Sequence, residues 1–119
     1  MKTSGICLVI AAGLAATSGY AACEMPTLVS AIPDGATATQ QELLAVQSEI
    51  KAYVAAMDDY IACQSEEMEA GSENATDDYL YLMQQRIETA RSEVDSVASR
   101  FNDQVTAFRA QRQGATGLR

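Results

Sequence analysis

Cysteines and carboxylates are the residues of this chain with chemistry to offer. The 119 residues include three cysteines and sixteen acidic residues, but no histidine. Thiols pair as disulfides, and carboxylates supply acid–base pairs or bind cations. No serine or cysteine has an imidazole to activate it, and the sequence has no glycine-rich phosphate loop or nucleophile elbow. We therefore expect no enzyme activity and no cofactor.

Acidic residues are frequent around the middle of the chain, where a cation is the ligand to consider. The spacing of these residues does not match a calcium-binding EF-hand loop, which needs alternating oxygen ligands, a central glycine and a terminal glutamate. A solvated acidic surface is the simpler interpretation. Weak divalent-cation binding remains an alternative, with the candidate ligands Glu66, Glu69, Glu73, Asp77 and Asp78.

The first residues have the order of a secretory signal peptide: Lys2, an apolar run over residues 6–16, then small residues. The run is far shorter than the ~20 apolar residues of a membrane span. Small side chains one and three positions before the cut favour cleavage after Ala21. We expect residues 1–21 to be removed, no membrane span in what remains, and a periplasmic or secreted protein.

Cleavage decides how the cysteines are counted. Cys7 leaves with the signal peptide, so Cys23 and Cys63 remain as an even pair in an oxidising compartment, where a disulfide is the default. The alternative is lipidation of Cys23, which would anchor the chain to a membrane and leave Cys63 unpaired. Tyr20 opposes this alternative, because a lipoprotein signal favours an aliphatic residue at that position.

The chain after residue 21 is acidic, with seven basic and sixteen acidic residues and a net formal charge of −9. Up to residue 78 the net charge is −11, from twelve acids and one base; residues 79–119 carry +2, from four acids and six arginines. We interpret the two parts as hairpin arms of complementary charge. Nucleic acid and anionic lipid repel such a chain, so neither is expected as a partner.

Residues 22–38 are predicted to form an extended arm. Pro26 and Pro33 have fixed φ angles and favour extended conformations at the residues before them. Ile32-Pro-Asp-Gly is typical of a turn, in which Asp34 bonds the nearby backbone and Gly35 is free to adopt positive φ.

A first helix is predicted over residues 39–69. Thr39 and Glu42 have the spacing of a capping box, in which each side chain bonds the backbone amide of the other residue. Apolar and large residues then recur at alternating steps of three and four, which is typical of a coiled-coil seam. These residues are Leu43, Val46, Ile50, Tyr53, Met57 and Tyr60.

A second helix is predicted over residues 76–112, followed by a flexible basic tail over 113–119. Its seam has the same spacing and consists of Leu80, Met83, Ile87, Ala90, Val94, Val97, Phe101, Gln104 and Phe108. Two long seams joined by a short loop predict an all-α fold, an antiparallel two-helix coiled-coil hairpin over residues 39–112. Its aromatic bulk also favours a homodimer in the form of a four-helix bundle.

The dimensions of the arm permit the disulfide. Cys63 lies some 24 residues into the first helix, about 36 Å at 1.5 Å per residue. The arm can stretch to roughly 50 Å, so it can run back along this helix and deliver Cys23 to Cys63. On the way Met25, Leu28, Val29 and Ile32 could cover the open side of the seam. Closing so long a loop stabilises a small domain by up to roughly 4 kcal/mol.

Four short motifs stand in the first half of the chain: Cys23-Glu-Met-Pro, Ile32-Pro-Asp-Gly, Lys51-Ala-Tyr53 and Tyr60-Ile-Ala-Cys63. Over about forty residues they resemble a group of small exported proteins of Gram-negative bacteria with no assigned activity. Those proteins share Cys-x-x-Pro, an Ile-Pro-Asp-Gly turn and a later Tyr-x-x-Cys. The resemblance implies a periplasmic location and paired cysteines, and it adds no catalytic or binding residue.

These features together predict a non-enzymatic structural or adaptor protein of the bacterial cell envelope, with exposed helix faces as its protein-binding surface. A periplasmic chaperone of the holdase type, which offers apolar seams to unfolded clients, is the first alternative. Cation binding at the acidic end of the hairpin is the second. The sequence does not identify a protein partner.

Overall fold

The computed structural model describes residues 23–117, with side chains as far as residue 115. Within that range two helices, α1 (Gln40–Gly71) and α2 (Asp77–Gly117), pack against each other as a hairpin, and there is no strand. The predicted all-helical architecture is confirmed. The predicted signal peptide over residues 1–21, with Cys7 and the cleavage site, lies outside the described residues.

The helix α1 begins where the capping residues stand. The Thr39 hydroxyl accepts a hydrogen bond from the Glu42 amide at 3.2 Å, and the Glu42 carboxylate accepts one from the Thr39 amide at 2.7 Å. These two bonds satisfy amides that have no partner within the helix. At the other end the Ser72 hydroxyl donates to the Glu69 carbonyl at 2.8 Å.

The helix α2 begins after a loop over residues 72–76. The Thr76 hydroxyl accepts a hydrogen bond from the Tyr79 amide at 3.2 Å, and Asp77 and Asp78 lie in the first turn, where the helix dipole favours anions. This helix continues to Gly117, beyond its predicted end at residue 112. Gly114 alone does not end it, because one glycine costs a helix only about 1 kcal/mol.

Contacts between the helix ends define the hairpin. Gly71 lies against the Tyr79 ring, and the Arg112 guanidinium donates to the Gln40 side-chain carbonyl at 3.5 Å. The first residues of α1 therefore lie beside the last turns of α2. Residues at the same height on the two helices have numbers that add to about 150.

The core lies between the two helices and consists of the predicted seams. Met57, Met83, Ala90 and Val97 are at most 2 % exposed. Leu43, Val46, Ile50, Tyr53 and Ile87 are also buried. The remaining predicted seam residues are partly buried: Tyr60, Leu80, Val94, Phe101, Gln104 and Phe108.

The arm before α1 runs back along this helix, and its disulfide is confirmed. Cys23 and Cys63 are bonded, with their Cα atoms 5.8 Å apart. Farther along the arm, the Ser30 hydroxyl donates to the Glu49 carboxylate. From Cys23 to Ser30 an extended chain covers about 23 Å, the length of roughly fifteen helical residues. This length matches the helical segment from Glu49 to Cys63, so the arm lies extended along α1.

Only part of the arm covers the core as expected. Val29 and Ile32 pack against the core cluster. The expectation that Met25 and Leu28 would do the same is wrong, since they are 54 % and 63 % exposed. The partly buried residues of the arm recur at every third position, Cys23, Pro26, Val29 and Ile32, so Met25 and Leu28 lie between them and face outward. A period of three is typical of the polyproline II conformation.

The turn of the arm lies directly on α2. Asp34 holds the turn, because its carboxylate accepts from the Ala36 amide at 2.9 Å and its carbonyl accepts from the Ala38 amide at 2.8 Å. The expectation of a positive φ at Gly35 is wrong, since no described glycine has one. Glycine is needed here for another reason: a Cβ atom would lie 1.8 Å from the Gln104 carbonyl oxygen of α2.

Candidate functional site

The disulfide lies at one end of a groove between the arm and α1. The groove has a volume of about 440 Å³ and is lined by the Cys23–Cys63 pair, residues 24–27, and Ala56, Asp59 and Tyr60. Both cysteines are partly buried. The bond holds the arm on this side of α1, so that the arm covers one face of the hairpin along more than half of the helix.

The predicted cation ligands lie at the loop end of the hairpin, which we call the tip. Glu66, Glu69, Glu73, Asp77 and Asp78 are all exposed. Among the described residues, the one set of three potential metal ligands whose ligand atoms lie within 4.8 Å of one another is Cys23, Cys63 and Glu67. Two of its three ligand atoms are bonded to each other as the disulfide. The structure therefore does not bring the five candidate ligands together, and the cation site stays a prediction.

The phenol of Tyr53 is a feature that periodicity did not predict. Tyr53 is 5 % exposed, and its hydroxyl has no hydrogen-bond partner among the described residues. Burial raises the pKa of Tyr53 above its ordinary value of 10.0; the nearby Glu93 carboxylate adds to the rise, and Arg100 opposes it. The phenol is held in its neutral form, which suits packing rather than acid–base chemistry.

Two glutamines occupy seam positions at opposite ends of the hairpin. The Gln104 side-chain carbonyl accepts from the Gly35 amide at 2.8 Å and so ties the turn of the arm to α2. Gln64 is 4 % exposed, and its side-chain oxygen has no partner in the described part of the chain. Gln64 continues the three-four spacing after Tyr60, which is the signal that could have identified it.

The face of the hairpin opposite the arm has no cover in the described part of the chain; we call it the open face. The arm is bonded to α1 at Glu49 and Cys63. The grooves beside the arm are lined on α1 by Ala52, Tyr53, Ala56, Asp59 and Tyr60, and none of these residues belongs to the open face. Residues seven apart lie on the same side of a helix, and two such stripes on each helix make up the open face. On α1 they are Leu44, Lys51, Asp58 and Ser65, then Gln47, Val54, Ile61 and Met68; on α2 they are Tyr81, Glu88, Asp95, Asn102 and Arg109, then Gln84, Arg91, Ala98, Val105 and Arg112.

The end of the open face away from the tip, which we call the base, forms an apolar groove of about 350 Å³ between the two helices. Leu44 in this groove is 55 % exposed. The Arg112 guanidinium lies 5.7 Å from the centre of the Phe108 ring, within the range of a cation–π contact. The lining is Gln40, Leu43, Leu44, Gln47, Phe101, Val105, Phe108, Arg109 and Arg112, so its charged members are both arginines.

The tip differs from the base in charge and carries exposed aromatic residues. Eight acidic residues lie between residues 58 and 78, and no basic residue lies between Lys51 and Arg86. Tyr81 and Leu82 are 65 % and 49 % exposed. The hairpin thus presents an acidic, partly aromatic tip and, on the open face at the base, an apolar groove whose charged lining residues are arginines, a combination that suits contacts with another protein.

Comparison of this chain with protein-family models, with curated proteins and with solved structures gives no match. Within residues 23–117, neither helix has an apolar stretch long enough to cross a membrane.

Proposed function

We propose that this chain is an exported, non-enzymatic structural or adaptor protein of the bacterial cell envelope that acts through protein–protein contacts. The signal-peptide pattern and the resemblance to exported proteins support the location in the periplasm. The disulfide supports it too, because such bonds persist in oxidising compartments. The contacts at both helix ends support an antiparallel arrangement of the hairpin.

The observation that carries the adaptor role is the outer side of the arm. Met25 and Leu28 have apolar side chains that the fold leaves more than half exposed, although the core lies directly beneath the arm. They stand next to two grooves along α1, of about 440 and 650 Å³. Exposed apolar side chains beside concave surfaces are typical of protein-binding sites, and the disulfide presents these in a fixed position.

Capture from envelope extract under oxidising conditions tests this role. We expect the purified chain to retain a specific partner, and Leu28→Ser to lose it, because the substitution removes the apolar contact without disturbing the core. Leu82→Ser is the matched control, since Leu82 is similarly exposed but lies on α2, outside both the grooves beside the arm and the open face. The proposal is wrong if both variants capture the same proteins as the unaltered chain, or if a tagged chain stays in the cytoplasm.

A holdase-type chaperone is a second candidate, which one observation favours. Six large apolar side chains of the described residues are more than a third exposed: Met25, Leu28, Leu44, Tyr79, Tyr81 and Leu82. A holdase would bind a hydrophobic dye in its folded state and suppress the aggregation of an unfolded client. If the folded chain binds no dye and leaves aggregation unchanged, this candidate is rejected.

A further inference from the structure

We infer that a second copy of this chain docks on the open face, so that two hairpins running in opposite directions form a symmetric four-helix dimer. A two-helix layer has two broad faces, and the arm covers one of them. The other carries partly buried Val54, Ile61 and Val105, whose apolar surface is incompletely covered within one chain. A second open face would cover them and complete a four-helix core.

Charge determines the direction of the second copy. The tip has eight acids in residues 58–78 without a base among them, whereas the charged residues that line the base groove are Arg109 and Arg112. Two copies with the same direction would place the two acidic tips side by side. Two copies with opposite directions place each acidic tip near the base of the other, where Arg109 and Arg112 lie, and long-range electrostatic complementarity favours that direction.

The symmetry of this arrangement specifies which helices meet. A two-fold axis that crosses the rod in the plane of the interface reverses the direction of the second copy. It also stacks each helix on its own counterpart, so α1 meets α1 and α2 meets α2. Every contact between two different residues then occurs twice, once on each side of the axis.

A pair of exposed charges on α1 gives the register. Lys51 and Asp58 lie on the same stripe, seven residues apart, and both side chains are exposed. Within one helix they stand about 10 Å apart, too far for an ion pair. The axis brings Lys51 of one copy opposite Asp58 of the other when it crosses α1 midway between them, near residues 54–55.

A contact on α2 gives the register independently. Tyr81 at the tip and Arg109 at the base lie on one stripe, and a guanidinium packs well on a tyrosine ring. The axis brings Tyr81 of one copy to Arg109 of the other when it crosses α2 at residue 95. Residues of equal height have numbers that add to about 150, so residue 95 of α2 lies level with residue 55 of α1. A single axis therefore satisfies both pairs. It also places Asp95 of each copy opposite Asp95 of the other, a like-charge contact that the two Lys51–Asp58 pairs must outweigh.

Charge exchange tests the register on the purified, disulfide-bonded chain. Sedimentation should show a dimer that Asp58→Lys and Lys51→Asp each weaken tenfold or more, because each change replaces two attractive pairs by two repulsive ones. The double variant should restore the dimer, since both charges are exchanged. Asp59→Lys is the matched control: it makes the same charge change at the next residue, on the arm side, and should weaken the dimer far less than Asp58→Lys does.

The direction of the copies is tested by measuring the distance between two spin labels, one at position 73 of each copy. Each label is attached to a non-cysteine residue that replaces Glu73, so that the disulfide is left intact. The tips should be about 55 Å apart, because residue 73 stands some eighteen helical residues from the axis. A monomer at high concentration, tips close together, or a double variant that fails to restore the dimer would each overturn the inference. None of these results bears on capture through Leu28, so the envelope role is tested separately.

Discussion

Replacing Gly35 with alanine tests how closely the turn of the arm lies on α2. The new Cβ atom would lie 1.8 Å from the Gln104 carbonyl oxygen, well inside the 3.4 Å at which ordinary van der Waals contact begins. The atoms in the way belong to the backbone of a packed helix, so they cannot move aside as a flexible side chain would. The turn itself must lift from α2.

The loss follows from three contributions. Overpacking at a tight contact costs about 1–3 kcal/mol. Lifting the turn also breaks the 2.8 Å hydrogen bond from the Gly35 amide to Gln104, which is worth about 1 kcal/mol. Alanine also reduces the conformational entropy of the unfolded chain, which offsets about 0.4–1 kcal/mol of the lost stability. The free energy of unfolding should fall by about 1–3 kcal/mol overall.

Urea denaturation followed by far-ultraviolet circular dichroism measures this loss. Gly114→Ala is the matched control, because a Cβ atom there meets nothing within 4 Å and the residue lies inside α2. The control should gain up to about 1 kcal/mol from helix propensity, the opposite sign. If Gly35→Ala is as stable as the unaltered chain, the turn does not rest on α2 and the close approach is wrong.

Three further predictions concern the core, the disulfide and the helix start. Reduction of the Cys23–Cys63 bond, which closes a loop with a sequence separation of 40, should lower the free energy of unfolding by about 4 kcal/mol, measured in urea with and without a dithiol reductant. Burial raises the pKa of Tyr53, so the folded state holds the phenol proton more tightly than the unfolded chain. Stability should therefore be complete below pH 10.0 and decline as the pH rises from there through the folded pKa. Tyr53→Phe should reduce that decline and, by removing a buried hydroxyl that lacks a partner, should not destabilise the protein at neutral pH; an unchanged alkaline decline would contradict this. Thr39→Ala should cost about 1 kcal/mol in thermal or urea unfolding, through the lost bond to the Glu42 amide, and an unchanged midpoint would contradict the role of the cap.

Local rules account for much of the fold. The three-four spacing that begins at Leu43 identified the buried sides of both helices, because a helix places residues at that spacing on one side whatever surrounds it. The start of α1 was predictable for the same reason, since Thr39 and Glu42 act within one turn. The Cys23–Cys63 pairing was the default for the two cysteines that remain after the predicted signal cleavage, and the reach of the arm permitted it.

Features between distant segments could not be predicted in this way. The reason for glycine at position 35 depends on Gln104, which is 69 residues away, and no local pattern relates the two. The outward direction of Leu28 depends on how the extended arm is rotated about its axis, which packing decides. The open face is likewise visible only when the arm is placed on the opposite side of the hairpin.

Local patterns in the amino-acid sequence were enough to predict the elements of the fold: two apolar-striped helices, a polar loop between them, an arm with a turn and a pair of cysteines. These depend on backbone propensity, periodicity and covalent chemistry, which act over a few residues or follow from residue counts. Three features became visible only from the packing of the helices and the arm: the face that the arm covers, the reason for glycine at position 35, and the set of aromatic and charged side chains that remain exposed. Those outcomes depend on steric contact and burial between segments that are distant along the chain.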